Sequence, residues 1–541
     1  MIFLSTLLFS VIFTTIAIPL LSKLAFRYQL LDMPDERKVH TQPIPRIGGI
    51  AMAIGALLPI FYWVSEDRMV LSYLAGAAVI VGFGLLDDIS GLSPVGKLAG
   101  QIIAALLVIF WGGIKITYLG MLLPEGVVLP EVVALPITVL AIVGVTNAIN
   151  LADGLDGLAG GISLLSLACI GFLAYLEGDF SVGLVSLSLC GAVFGFLRHN
   201  TFPATIFMGD TGSQFLGYSA ITMALALTQG STPLSPLLPL IILGFPVLDT
   251  LTVMTSRVIR GKSPFLADKA HFHHSLLGLG LHQTESVLAI YLIQTFLILS
   301  AYRFRFYSDW LLLLAYIGFS VTVLIIFSQS NRYHWQPKRL ALIVKIKGFL
   351  GWLRDDTDTI KYLFGALKVG MPVILLLTVL LANPLGTYLK IAALITATVL
   401  LLIMRFFRNG LDDWLRTILY LLIPISIYHS DIVVSNFSSM TFRIYNSAFI
   451  ILAILNILVS KLTKRKIGFK STPLDFLILF IVLAIPNIQQ TNLHDFRLGL
   501  VAAKIIIMYF SCEILFAELR GNYRGMTKVT LIALVGLAIR Y

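Results

Sequence analysis

The chain has 541 residues, of which 58% are hydrophobic and only 12% charged, and it carries a net charge of +11. Soluble domains are roughly 25% charged, so this composition excludes an ordinary globular protein and indicates an all-α polytopic integral membrane protein. The three cysteines, Cys169, Cys190 and Cys512, lie in apolar runs and exclude a disulfide framework or a thiolate metal site, while the positive charge reads as basic cytoplasmic loops and not as nucleic-acid binding.

The first apolar run, Met1 to Leu21, has no basic residue ahead of it and no small-residue cleavage site. It is expected to be a retained span. Hydropathy places about eleven spans through residue 328, near 2–22, 47–63, 69–86, 97–113, 130–149, 159–176, 181–197, 213–228, 235–256, 285–302 and 310–328. A basic amphipathic cytoplasmic connector is expected over 331–365, and about six further hydrophobic segments fill 366–541. The last apolar run, Val529 to Tyr541, reaches the end of the sequence, as expected of a chain that is not complete.

Orientation follows from lysine and arginine. The loops after spans one, nine and eleven carry Lys23, Arg27, Arg37, Lys38 and Arg46, then Arg257, Arg260, Lys262 and Lys269, then a longer basic series from Arg332 to Lys361. All follow odd-numbered spans; the loop with Arg303 and Arg305 is the exception. The N-terminus is therefore expected outside and the odd loops in the cytoplasm. The polar clusters also follow odd spans, which allows one composite site on the cytoplasmic face and disfavours a transmembrane relay.

Those clusters come in a fixed order. Pro34–Gly49 sets Lys38, His40 and Arg46 among rigid prolines, suited to phosphates or to lipid head groups alike. Asp87 and Asp88 end span three; adjacent carboxylates repel unless a cation or proton relieves them, and Lys97 follows after a Ser-Pro turn. In VTNAINLADGLDGLAGG, Asn147, Asn150, Asp153 and Asp156 are spaced by three and form a drifting stripe if the helix continues that far. Asp210 precedes span eight between Gly209 and Gly212, with Ser213 placed to cap the helix. His271, His273 and His274 crowd DKAHFHHSLLGLG without HExxH spacing or a nearby cysteine, a poor match to tetrahedral zinc. Each cluster has a plainer reading as a helix cap or a solvated loop, and the metal and phosphate readings of the histidines are not separable locally. There is no GxxxxGK[ST] loop and no GxSxG elbow.

Taken together, PDERKVH…PIPRIGG, LLDD…K, TNAINLADGLDGLAGG, FMGDTGSQFLG and HFHH, in that order over roughly residues 1–330, resemble the polyprenyl-phosphate N-acetylhexosamine-1-phosphate transferases, the glycosyltransferase family 4 superfamily of the WecA-type and MraY-type enzymes. The resemblance implies a transferase at the bacterial cytoplasmic membrane, with its site on the cytoplasmic face. It would move a sugar 1-phosphate from a UDP-N-acetylhexosamine to undecaprenyl phosphate, release UMP and use Mg²⁺ (or Mn²⁺). Carried over by position, Asp210 and Asn150 look like metal ligands and Asp87 like the base that readies the lipid phosphate, with Asp88 beside it. Asn147, Asp153 and Asp156 resemble nucleotide- and site-organising positions. Lys97 and the three histidines resemble diphosphate contacts, with Arg46 and Lys38 as further substrate-binding candidates. Phe272 interrupts the histidines, as in the WecA-like branch, so UDP-N-acetylglucosamine is the leading donor and an MraY-type muramoyl-pentapeptide the first alternative. A homodimer is among the expected partners.

The segment after residue 366 departs from the family pattern. It is read as a second module of the same glycan pathway, from its PLDFLILFIVLA stretch, or as a scaffold. From another class, a transporter would need inverted repeats and broken helices at mid-bilayer; no repeat is evident in the sequence. All of the catalytic reading requires Asp87, Asn150 and Asp210 to converge.

Overall fold

Backbone polar groups at bilayer depth must pair within their own segment, which drives a chain this apolar into helices. A computed structural model of the chain describes residues 2–33, 43–64, 66–124, 126–230, 232–261, 263, 271–332, 357–406, 411–434, 439–462, 495–519 and 522–540. Among them, eleven helices are long and apolar enough to cross a membrane. The chain divides into two compact units, Met1–Lys338 and Arg339–Tyr541.

In the first unit, helix α1 (Ile2–Tyr28) leads to a two-residue strand, β1 (Leu31–Asp32), paired antiparallel with β2 (Ile44–Pro45). Then follow α2 (Gly48–Val64), α3 (Arg68–Ser90), α4 (Pro94–Phe110), α5 (Glu131–Ala152), α6 (Leu158–Glu177), α7 (Phe180–Asn200) and α8 (Gly209–Thr228). The unit closes with α9 (Leu238–Ile242), α10 (Gly244–Ile259), α11 (Phe272–Gly278), α12 (Gln283–Phe304) and α13 (Asp309–Arg332).

Helix α8 is the axis of this bundle. It packs against α2, α3, α5, α6 and α7 and is buried over nearly its whole length. Small residues make the approach possible, as is usual between membrane helices. A Cβ on Gly49 would lie 2.3 Å from the Gly212 nitrogen, one on Gly84 2.5 Å from the Thr211 Cα, and one on Gly217 2.7 Å from the Thr146 Cα. Lower in the bundle, the Tyr73 and Tyr218 rings stack at 5.7 Å, and Tyr73 shares a 2.9 Å hydroxyl hydrogen bond with Ser219. These contacts fix α3 and α5 against α8, so their polar ends meet.

The expected ninth span is not one helix. It breaks at Leu243 into α9 and α10, where Pro239, Gly244 and Pro246 interrupt the backbone ladder. Buried side chains satisfy the freed groups. Gln294 Nε2 donates to the Ile242 carbonyl at 2.6 Å and its Oε1 accepts from Phe245 N at 3.3 Å. Ser166 donates to the same carbonyl at 3.0 Å, and Tyr316 donates to the Gly244 carbonyl at 2.8 Å.

The second unit comprises, among the described residues, α14 (Thr357–Leu381), α15 (Thr387–Phe406), α16 (Leu411–Val434), α17 (Ser439–Leu462), α18 (Asp495–Leu519) and α19 (Arg524–Ile539) around an apolar core. Lys504 of α18 forms a buried ion pair with Asp431 of α16 and lies 4.4 Å from the centre of the Tyr445 ring. Most of the connector expected over 331–365, and the PLDFLILFIVLA stretch, lie outside the described residues.

Candidate active site

The site is built where α8 begins. Gly209 takes φ +69°, a conformation that suits glycine, and Asp210 sits in the first helical turn. The cap of this helix is not Ser213, which lies a turn inside and donates to Asn150 Oδ1 at 2.6 Å. It is Asp88 of α3. Its carboxylate accepts from Asp210 N at 2.9 Å, Thr211 N at 3.0 Å and the Thr211 hydroxyl at 2.6 Å. A carboxylate here satisfies free N–H groups and complements the helix dipole. Expected beside Asp87 as an active-site acid, Asp88 therefore has both oxygens committed to holding Asp210 in place.

Asp87, on the buried side of the same helix end, is free for different work. The Gly91 C-cap, at φ +66°, ends α3 and lets Leu92 N donate to Asp87 Oδ1 at 2.7 Å. The Ser93 cap and Pro94 then start α4, which returns Lys97 toward the pair. The Lys97 ammonium lies 2.5 Å from Asp87 Oδ2 and 2.8 Å from Asp210 Oδ2. Asp87 and Asp210 also face each other within hydrogen-bonding reach, and the Asn150 amide contacts Asp210. Residues at 87, 97, 150 and 210 thus meet at one point at one end of the bundle.

Asn147, expected among the substrate contacts, is used below that point. Its Nδ2 donates to Gln101 Oε1 at 2.7 Å and to the Val143 carbonyl at 2.9 Å, and Gln101 donates onward to Gln214 at 3.0 Å. This buried amide network ties α4, α5 and α8 together. The three-residue stripe stops at Ala152: Asp153 is the C-cap residue of α5, and Asp156 lies in the turn beyond. Asp156 Oδ2 accepts from Ala204 N at 2.9 Å. Burial first, then Asp210, Asp156 and Asp88, push the Asp153 carboxyl up to about 7, with Arg46 pulling the other way. The turn is pinned at Gly157, whose N–H donates to Asn200 Oδ1 at 3.0 Å and whose carbonyl accepts from the Tyr291 hydroxyl at 2.5 Å.

Arg46 pairs with the buried Asp32 across the small hairpin. Its segment runs beside the approach to α8, with Phe207 N donating to Pro45 O at 2.9 Å and Gly48 N to Phe207 O at 2.9 Å. Lys38 lies outside the described residues. The histidines sit at the start of α11. His271 Nδ1 is 3.0 Å from Asp249 Oδ2, and the rings of His271 and His273 stack at 5.8 Å. His273 packs over Gly154, where a Cβ would come within 2.3 Å of its Nε2. Burial first, then His274 and His271, hold His273 down to about 4, so it is neutral at pH 7. Asp249, Gln101 and Tyr291 escape a reading by motif because each stands inside an apolar run, while Gln214 and Asn200 lie in polar stretches whose acids and basic residues draw the reading instead.

The donor set suits a hard divalent cation. Two carboxylates and an amide converge with one ammonium, whereas no three His, Cys, Asp or Glu side chains among the described residues form a cage. Mg²⁺ is commonly held in this way, by one or two carboxylates with substrate phosphates completing the shell. As oriented, Asn150 spends its oxygen on Ser213, so ligation through that oxygen requires the amide to turn.

Residues 70–228, which hold Asp87, Lys97, Asn150 and Asp210, match the family model described as glycosyl transferase family 4. A probable undecaprenyl-phosphate N-acetylglucosaminyl 1-phosphate transferase of Bacillus subtilis (strain 168) is 38% identical over 323 residues, 59% of this chain and 88% of the relative. The chain belongs to glycosyl transferase family 4. Other relatives in the family are the decaprenyl-phosphate N-acetylglucosaminephosphotransferase of Mycobacterium leprae (strain TN), 36% identical over 52% of this chain and 78% of its own length, and the undecaprenyl-phosphate alpha-N-acetylglucosaminyl 1-phosphate transferase of Escherichia coli (strain K12), 29% identical over 57% and 86%. Membership in glycosyl transferase family 4 is thus carried by the first unit, in a multi-pass membrane protein.

Proposed function

We propose that the protein transfers N-acetylglucosamine 1-phosphate from UDP-N-acetylglucosamine to undecaprenyl phosphate at the cytoplasmic face of the bacterial inner membrane. The observation that carries this reading is the convergence of Asp87, Lys97, Asn150 and Asp210 from four helices. The relatives' names supply the sugar and the lipid class. The basic loops at Arg46 and Arg257–Arg260 favour the cytoplasmic side.

In this reaction an oxygen of the lipid phosphate forms a bond to the sugar-linked phosphorus. The bond from that phosphorus to the bridging oxygen breaks, and UMP leaves with the electron pair. Asp210 and, once its amide turns, Asn150 would hold Mg²⁺, which would supply charge neutralisation on the diphosphate. Lys97 donates to phosphate oxygens as a point charge once it is drawn from between the two acids. Asp87, held by Leu92 N at one oxygen, keeps its second oxygen toward the reacting groups, where it accepts any proton left on the lipid phosphate. Asp88 touches no substrate; it sets Asp210. The pinned turn at Asp153–Gly157 and His273 above it form one wall of the site, and His271 and His274 extend it toward the diphosphate.

The test is direct. Purified full-length protein given UDP-N-acetylglucosamine and undecaprenyl phosphate should release UMP with Mg²⁺ and stop on adding EDTA. No UMP from any UDP-N-acetylhexosamine would end this reading.

A further inference from the structure

The Asp249 carboxylate is 2% exposed and lies in α10, six residues past the helix break and inside the ninth apolar run. Both of its oxygens are engaged by one short segment. Oδ2 lies 3.0 Å from His271 Nδ1, and Oδ1 accepts from Phe272 N at 2.9 Å. Phe272 is locked in turn, edge-on to Phe245 at 5.7 Å and to Phe327 at 4.4 Å. His271 is itself buried, with 6% exposure.

We propose that Asp249 is a positioning residue that fixes His271 as the Nδ1-protonated tautomer, leaving Nε2 as the atom that meets the diphosphate of the substrate. An ionised carboxylate offers only lone pairs, so the nitrogen facing it must carry hydrogen. The second bond, to Phe272 N, holds the carboxylate so that it cannot swing with the ring. His273 and His274 lie beyond the His271 ring, and the carboxylate that meets this ring is that of Asp249. The helix break has a use here: ending α9 at Leu243 re-aims α10 and carries Asp249 to the start of α11. The inference rests on the transferase reading above, and it adds a residue that reaches the chemistry through the ring it holds, His271.

The experiment is a double-mutant cycle in the full-length protein, read by UMP release. Asp249→Asn puts a donor where one of two acceptors stood and should lower kcat by about 10²-fold, with the KM for UDP-N-acetylglucosamine within about two-fold. Asp249→Glu should restore part of kcat. In a His271→Gln background, Asp249→Asn should cost almost nothing more, because the group it acts through is gone. An unchanged kcat, a loss seen only in KM, or an equal further loss in the His271→Gln background would overturn the proposal. Should Asp249→Asn fail to fold, ¹⁵N-histidine spectra of the wild type, with His271→Gln for assignment, decide it: an Nε2-protonated His271 would overturn it as well. A wild type that releases no UMP defeats the transferase reading instead, and the spectra still report the tautomer.

Discussion

At Asp210 the chain places a carboxylate whose position depends on three partners: Asp88 behind it, Lys97 in front and Asn150 beside it. Replacing Asp210 with Ala should lower turnover by about 10³-fold or more, since it removes charge placement that is preorganised for the transition state. The protein should still be recovered from the membrane, and UMP release by the detergent-purified variant is the measure. His273 makes a prediction about pH. Its ordinary value of 6.5 falls to about 4 in the fold, so above pH 6.5 it is neutral folded or unfolded and has no effect. As pH drops below 6.5 the unfolded chain takes up the proton first, and up to about 2 kcal/mol of stability is lost by pH 5. Asp153 has the opposite sign: raised to about 7, it holds its proton in the fold as pH falls below 7, which relieves a cost. Thermal unfolding of His273→Asn beside wild type from pH 7 to 5 should separate them, with the variant losing less on acidification. Asp210, Lys97 and the histidines are legible in the sequence because they stand out against apolar surroundings. Asp249 is not, because one acid within FPVLDTLT, inside the ninth apolar run, belongs to no motif, and only folding brings it to His271.

Among the elements, α8 determines the site because three neighbours reach it through glycines. Gly84 is the informative one. It lies one turn before Asp88 on the face that meets α8, and its absent side chain leaves room for the Thr211 backbone. Gly84→Ala should push α3 from α8 and disturb Asp87, Asp88 and Asp210 at once. Displacements of about 1 Å can cost about 10²-fold in rate. The helix content by circular dichroism should be unchanged while UMP release falls. The spans themselves are legible from hydropathy, since helix length and apolarity follow from the bilayer. The break at Leu243 is not, even with Pro239 and Gly244 in view. What permits it is Gln294, a residue about fifty positions later that satisfies the exposed backbone groups.

For the whole molecule, the match to relatives and the converged site both fall in the first unit, while the second has its own core and its own buried Lys504–Asp431 pair. A chain ended at Lys338 should therefore keep the transfer reaction within about three-fold of full length, because domains with separate cores fold as units. The check is UMP release at equal protein concentration. Such ion pairs inside membrane bundles are costly and seldom ornamental, so the second unit is more than filler.

The two neighbouring acids that close α3 look interchangeable on paper, yet one meets Lys97 and Asp210 and the other clamps the start of a helix more than a hundred residues downstream. Loss-of-function screens would score Asp87 and Asp88 alike, since slackening the clamp costs roughly 0.5–2 kcal/mol of local order and lets Asp210 drift. Sorting them needs a divalent-cation titration of each neutralised variant: a weakened affinity restored by stabilising osmolytes would mark a structural fault, and one that stays weak would mark a lost charge at the reaction centre.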